Sequence, residues 1–177
     1  MAIKTMAMSE GSGQYAEGWH ELTISRAEYS NWKNDQVLDI WFKDYPDTFK
    51  VRIFPAYSKE NKEEFAIARV FKVVNAGIVS VLKDASGKNP VIQYDDEASG
   101  LVDRNVNVFM YKSPGSDGKE YSNPFNRFAP VVGEGEHISY TADDVSFWKK
   151  NVEAACKTYQ EKKRTTTTTD EFADVPY

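Results

Sequence analysis

The sequence predicts a mainly β fold, a small five-stranded barrel with one helix between strands three and four and a second helix at its C-terminal end. Three observations predict it. Apolar and polar residues alternate at a period of two in several stretches, the period turns helical around residues 61–78, and a second helical stripe runs over about 143–163. With 177 residues the chain is long enough for one domain with a real hydrophobic core and an appendage at each end.

The elements follow in order. Leu22 and Ile24, two apart within Trp19 to Tyr29, mark the first strand, and the polar run Ser30 to Asp35 reads as a turn. In Val37 to Lys43, Leu38, Ile40 and Phe42 alternate with Asp39, Trp41 and Lys43. After a turn at Tyr45-Pro46-Asp47, Phe49, Val51 and Ile53 alternate with Lys50, Arg52 and Phe54 until Pro55 ends the strand. Ile67, Phe71, Val74 and Ile78 then form a helical stripe, with Asn61 and Glu64 as a capping-box-like start and Gly77 as the stop. Residues 84–100, rich in Asp, Ser, Gly and Asn around Val91 to Tyr94, read as a loop. Val106, Val108 and Met110 alternate with Asn107, Phe109 and Tyr111, a turn follows at Ser113 to Gly118, and Glu120 to Phe128 returns, which makes a hairpin. Thr141 with Asp144 opens the last helix, faced by Val145, Trp148, Val152, Cys156 and Tyr159.

Beyond that helix, Lys162-Lys163-Arg164, five threonines and an acidic end have no periodicity and little to bury, which predicts disorder. The chain thus divides into a flexible segment 1–17, a folded domain 18–163 and an acidic tail 164–177. Three strands, a helix and a two-stranded hairpin are the element order of an OB-fold. A different small β-barrel, or a twisted sheet carrying one helix, produces the same pattern.

Composition narrows the function. Residues 1–18 hold Ile3, Met6 and Met8 but no continuous apolar stretch, so no signal peptide is expected, and nothing elsewhere is apolar for the roughly 18 residues a membrane span needs. The one cysteine, Cys156, has no partner for an internal disulfide and reads as a small buried hydrophobe. His20 and His137 lie far apart, and no cysteine pair, phosphate-cradling glycine loop or nucleophile elbow is present, so no enzyme, cofactor or metal is expected. The carboxylates of Asp95-Asp96-Glu97 and of Asp143-Asp144 read as solvated charge.

The candidate site is the second face of the strands. With Leu38, Ile40, Phe42, Val51, Ile53, Val106, Val108 and Met110 as core, the opposite set is Trp41, Lys43, Lys50, Arg52, Phe54, Phe109, Tyr111, Tyr121, Phe125 and Arg127. Rings interleaved with cations suit single-stranded DNA, because each base offers a π-face worth roughly 1–3 kcal/mol on an aromatic ring while Lys and Arg follow the phosphates. Trp41 and Tyr111, beside Lys43 and Lys112, are the leading contacts, and Arg104, Lys112 and Lys119 read as phosphate contacts or as plain surface charge. Phe54, Phe109 and Phe125 have an equally good reading as rings covered by a helix or packed across strands. The net charge of −5 runs against a nucleic-acid partner; setting aside Asp170, Glu171 and Asp174, 22 basic residues still face 24 acidic ones, 27 less these three. A DNA site must therefore rely on local clustering and stacking.

The tail ends Asp170-Glu171-Phe172-Ala173-Asp174-Val175-Pro176-Tyr177, acids ahead of a terminal aromatic. Such a tip can place its ring in an apolar pocket and its carboxylates on a basic rim, and from Thr165 it reaches roughly 20 Å, far enough to compete with DNA on the barrel itself.

Gly18 to Glu28, the Leu38 to Phe54 strand pair, the helix around Phe65 to Ala76 and the Val106 to Pro130 hairpin with Gly118-Lys119-Glu120-Tyr121 together resemble phage-encoded single-stranded DNA-binding proteins of the OB-fold type, over about residues 17–132. The tail resembles the tip of bacterial single-stranded DNA-binding proteins, although it ends Pro176-Tyr177 where the bacterial tip ends Pro-Phe, and its threonine linker is shorter. The resemblance implies a protein that coats single strands during replication, recombination and repair in the cytoplasm of a phage-infected cell. It also implies a phage-encoded polymerase, helicase or nuclease recruited through Asp170, Glu171, Phe172, Asp174, Val175, Pro176 and Tyr177, and is compatible with a homo-oligomer. The rival expectation is a protein-interaction or structural β-barrel adaptor, which the net charge favours.

Overall fold

One long strand organises the molecule. In the computed structural model, which describes residues 15–83 and 90–169, β1 (Gly18–Trp32), β2 (Asp35–Phe42) and β3 (Lys50–Ile53) precede α1 (Ala66–Val74). Then come β4 (Ile78–Lys83), β5 (Pro90–Tyr94), a 3-10 turn (Ala98–Leu101), β6 (Asn105–Pro114), β7 (Glu120–Ala129) and α2 (Ala142–Thr169). Five strands form an antiparallel sheet in the order β3-β2-β1-β6-β7, while β4 and β5 pair as a separate hairpin. A register shift between Ile24 and Arg26 divides β1, so that Gly18 to Thr23 pair with β6 and Ile24 to Trp32 pair with β2. A bulge of this kind bends a strand and increases its twist. The edge strands β3 and β7 approach each other without pairing, so the sheet stays open there.

All eight residues expected in the core, Leu38, Ile40, Phe42, Val51, Ile53, Val106, Val108 and Met110, are buried. Val70, Phe71 and Val74 of α1 complete that core from the other side. Fully burying a side chain such as Phe71 contributes about 2 kcal/mol from lost apolar hydration.

Several local expectations are corrected. β1 does not turn at Ser30 but runs on to Trp32, and the turn is Lys33-Asn34, with Lys33 left-handed at φ 55°. α1 is capped by Glu64 rather than Asn61: its carboxylate accepts the N–H groups of Ala66 (2.7 Å), Ile67 (2.9 Å) and Ala68 (3.1 Å). Three otherwise orphaned donors are thereby satisfied by one anion at the positive end of the helix dipole. The helix stops at Asn75, left-handed at φ 55°, and not at Gly77, so Ile78 belongs to β4 and not to the helical stripe. Gly77 instead opens the β4–β5 hairpin at φ 64°, where a Cβ would collide with the carbonyl of Asp95. Within 84–100, where the sequence predicts a loop, lie β5 and most of the 3-10 turn that ends at Leu101.

At the chain's start, Tyr15 is already seated, its ring 4.9 Å from Tyr45 and 5.2 Å from Phe49 and its carbonyl accepting the Ser122 hydroxyl at 2.6 Å. Tyr15, three residues before Gly18 and within the segment expected to be flexible, is therefore packed against the domain. At the other end Thr141 and Asp144 form the expected capping box, the Thr141 N–H donating to Asp144 Oδ2 at 2.8 Å and the Asp144 N–H to Thr141 Oγ1 at 3.2 Å. α2 continues through Thr169, six residues beyond Lys163, and Thr165 Oγ1 donates back to the Glu161 carbonyl at 2.9 Å. The tail residues Asp170 to Tyr177 lie outside the described residues. Among those described, no helix is long and apolar enough to cross a membrane.

Candidate nucleic-acid interface

The pairing register dictates which side chains share the outer face of β1–β3. Arg26 lies opposite Trp41 and Trp41 opposite Lys50, while Glu28 lies opposite Asp39 and Asp39 opposite Arg52. Because side chains alternate across a sheet, these two rows stand on the same side, with Ala27, Ile40 and Val51 pointing into the core between them. Three of the predicted contacts, Trp41, Lys50 and Arg52, therefore meet, and two residues the sequence reading passed over, Arg26 and Trp32, join them.

The geometry is a set of stacked cations and rings. The Arg26 guanidinium sits 3.8 Å from the centre of the half-buried Trp41 ring, and the Lys50 ammonium 5.4 Å from it. The Trp41 indole N–H donates to the Asp47 carbonyl at 3.0 Å, which holds the ring in place. Arg52 stacks 4.9 Å from the exposed Trp32 ring and donates through Nε and Nη2 to the two carboxylate oxygens of Asp39 at 2.7 and 2.8 Å. Trp32 reaches this face because β1 runs on to it through Ser30, where the sequence predicts a turn.

Asp39 is the anomaly of the face, a carboxylate only 2% exposed on the side of the sheet away from the core. Arg52 and the Ser30 hydroxyl hydrogen-bond it and Lys50 stands 3.5 Å away. The Arg52 hydrogen bond is the chief reason its carboxyl is held below the usual carboxylate range, against the opposing effect of burial. A depressed folded value means that the ion pair stabilises fully above the ordinary pKa of about 4 and fades as pH falls through the lower folded one. Asp39→Asn is expected to cost about 2 kcal/mol of stability at neutral pH, because two charge-assisted bonds to Arg52 are lost. Thermal unfolding should show this as a drop of about 4–8 °C, and the loss should shrink below about pH 4.

The remaining predicted contacts are scattered. Phe109, Tyr111 and Phe125 do not face solvent together, because α2 lies over them: Phe125 packs with Val152 and Cys156, and Phe109 and Tyr111 close the same cluster. The Tyr111 ring stands 6.0 Å from Phe125 and 6.1 Å from Tyr159 of α2, and burial above all, then Tyr159, pushes its hydroxyl pKa up. Trp19 roofs this second core, 5.1 Å from Phe109, its N–H donating to Glu153 of α2 at 2.7 Å. Cys156 is buried and its thiol is pushed up to about 11, which leaves it protonated at neutral pH and a poor nucleophile.

Lys43 pairs with Asp103 at 2.6 Å, and Arg104 and Lys119 are exposed. Lys112 lies beside α2, its carbonyl accepting Gln160 at 3.1 Å, and the Tyr121 hydroxyl donates to Asp117 at the hairpin tip. Phe54 and Arg127 are brought together at the opening between β3 and β7. Asp144 is occupied by its helix cap.

No protein-family model matches the chain, and no curated protein matches its sequence.

Proposed function

We propose that this chain is a single-stranded DNA-binding protein of the OB type, which coats transient single strands by stacking and charge and carries out no chemical step. In favour of an OB-type sheet are the strand order, the bent β1 shared by both halves, the near approach of β3 and β7, and a helix between the third and fourth strands of the main sheet. The observation that carries the function is the pair of outer-face tryptophans, each with a guanidinium on its ring. A cation on an exposed ring is worth about 0.5–1 kcal/mol, whereas a stacked base is worth about 1–3 kcal/mol. A base that replaces Arg26 over Trp41 therefore gains in stacking and frees a guanidinium for the neighbouring phosphate. Recruitment of a polymerase, helicase or nuclease by Asp170 to Tyr177 completes the proposal.

One observation favours an adaptor instead. The β4–β5 hairpin exposes Val79, Val81, Leu82 and Val91, an apolar surface of the kind that contacts other proteins. Binding of labelled oligo-dT at two salt concentrations separates the two. A coating protein is expected to bind and to weaken as salt rises; absence of binding at the lower salt leaves the adaptor.

A further inference from the structure

The outward row of β3 does not end with the strand. Lys50 and Arg52 point outward, and Phe54, the next residue of the same alternation, is 45% exposed at the point where β3 gives way to the gap facing β7. That gap is a cleft of about 210 Å³ between β3, α1 and β7. Val70 and Phe128 lie at its buried base, and Phe54, Phe65, Arg69 and Arg127 line its exposed parts.

Its chemistry is unlike that of the sheet face beside it. On the face, Asp39 engages Arg52 and Lys50. In the cleft, neither Arg69 nor Arg127 forms an ion pair among the described residues, and Arg69 is half-buried. Burial, and then the like charge of Arg127, lower the Arg69 pKa, with only Glu64 opposing them. Two guanidiniums lining one partly dry cleft, neither ion-paired among the described residues, are a standing electrostatic cost that an anion removes. The Arg69 guanidinium also lies 5.7 Å from the ring of Phe65, itself 42% exposed. Two exposed rings in the same cleft as two cations ask for a ligand that is flat and anionic at once. The volume is below the roughly 300–1,000 Å³ of a drug-sized pocket, which suits one nucleotide of a chain rather than a folded partner.

We propose that this cleft is a nucleotide subsite on the path of the single strand: Arg69 and Arg127 together grip one backbone phosphate, and Phe54 or Phe65 stacks the adjoining base. The inference rests on the single-strand reading above and extends its path from Trp41 across Lys50 and Arg52 into the gap between β3 and β7. Guanidinium forks match phosphate oxygens two at a time, and the carboxylate that acts on Arg69, Glu64, is engaged by the N–H groups of Ala66, Ile67 and Ala68 rather than in an ion pair as Asp39 is with Arg52.

The test titrates fluorescein-labelled oligo-dT with the full chain over a range of salt, following anisotropy. The variant R69Q/R127Q is expected to bind at least tenfold more weakly and to flatten the slope of log affinity against log salt by about 0.7–1, as for one lost phosphate contact. The control K150Q/K157Q removes the same charge from the exposed side of α2 and should change affinity less than about threefold. F54L/F65L should weaken binding about tenfold with the slope unchanged, since stacking releases no counterions. Circular dichroism melts report whether each variant is folded, and R127Q alone, at an exposed strand position, serves if the double variant is not. If wild type binds and R69Q/R127Q behaves as K150Q/K157Q does in both affinity and slope, the subsite is wrong while the single-strand reading survives. If wild type itself does not bind, both are overturned.

Discussion

Trp41→Ala is expected to weaken oligo-dT binding by about tenfold to a hundredfold, because a stacked base is worth roughly 1–3 kcal/mol and each 1.4 kcal/mol is a factor of ten. The protein should stay folded. Trp41 lies on the outer face, and its loss removes the Arg26 and Lys50 contacts and one bond to the Asp47 carbonyl, none of them part of the main core. Trp41→Phe, which keeps a ring, should recover most of the affinity. Anisotropy titration beside a thermal melt measures both quantities. Unchanged affinity in Trp41→Ala and in Trp32→Ala would remove the outer face of β1–β3 as the binding surface.

Phe125→Ala should act in the opposite way, on stability and not on affinity. Phe125 is 5% exposed between β7 and α2, against Val152 and Cys156, and truncating a ring so buried costs about 3–5 kcal/mol through lost transfer energy and the cavity left behind. Chemical denaturation should show the loss directly, and limited proteolysis should cut α2 sooner, since this cluster packs α2 onto β6 and β7. The folded fraction is expected to bind oligo-dT as the wild type does. A fall in affinity per folded molecule would mean that the Phe125 side of the sheet takes part in binding after all.

The contrast between Trp41 and Tyr111 marks where residue patterns stop being informative. Both sit at outward positions of an alternating strand beside a lysine, and both read as ligand-facing rings. Among the described residues no helix lies over Trp41, whereas Tyr111 is roofed by α2 with Tyr159 against it. Alternation tells which residues share a side of a sheet but not whether a helix more than thirty residues further along lies over that side. α2 was legible as an element, including the buried stripe Val145, Val152 and Cys156 and the Thr141–Asp144 cap, yet no local signal says which strands that stripe packs against.

The same limit explains the other misses. Arg69 and Phe65 sit next to the helical stripe and gain meaning only because α1 lies across the opening from Arg127. Asp39 reads as an exposed strand residue, and it is the register opposite Arg52 that makes its burial tolerable. The β4–β5 hairpin was hidden because Ile78 falls in phase with the helical stripe while Gly77, whose tight approach to Asp95 requires a glycine, already belongs to the hairpin.

What the sequence determined by itself were the properties set within a few residues: the period of each strand, the eight core side chains, the α2 cap and the alternation that puts Trp41, Lys50 and Arg52 on one side. Tertiary structure alone decided which outward rings α2 covers and which cations, such as Arg52 and Lys50, are engaged by a carboxylate. The physical reason is range: backbone preference and side-chain alternation act between neighbours in the chain, whereas burial and charge compensation depend on whatever distant segment comes to lie alongside.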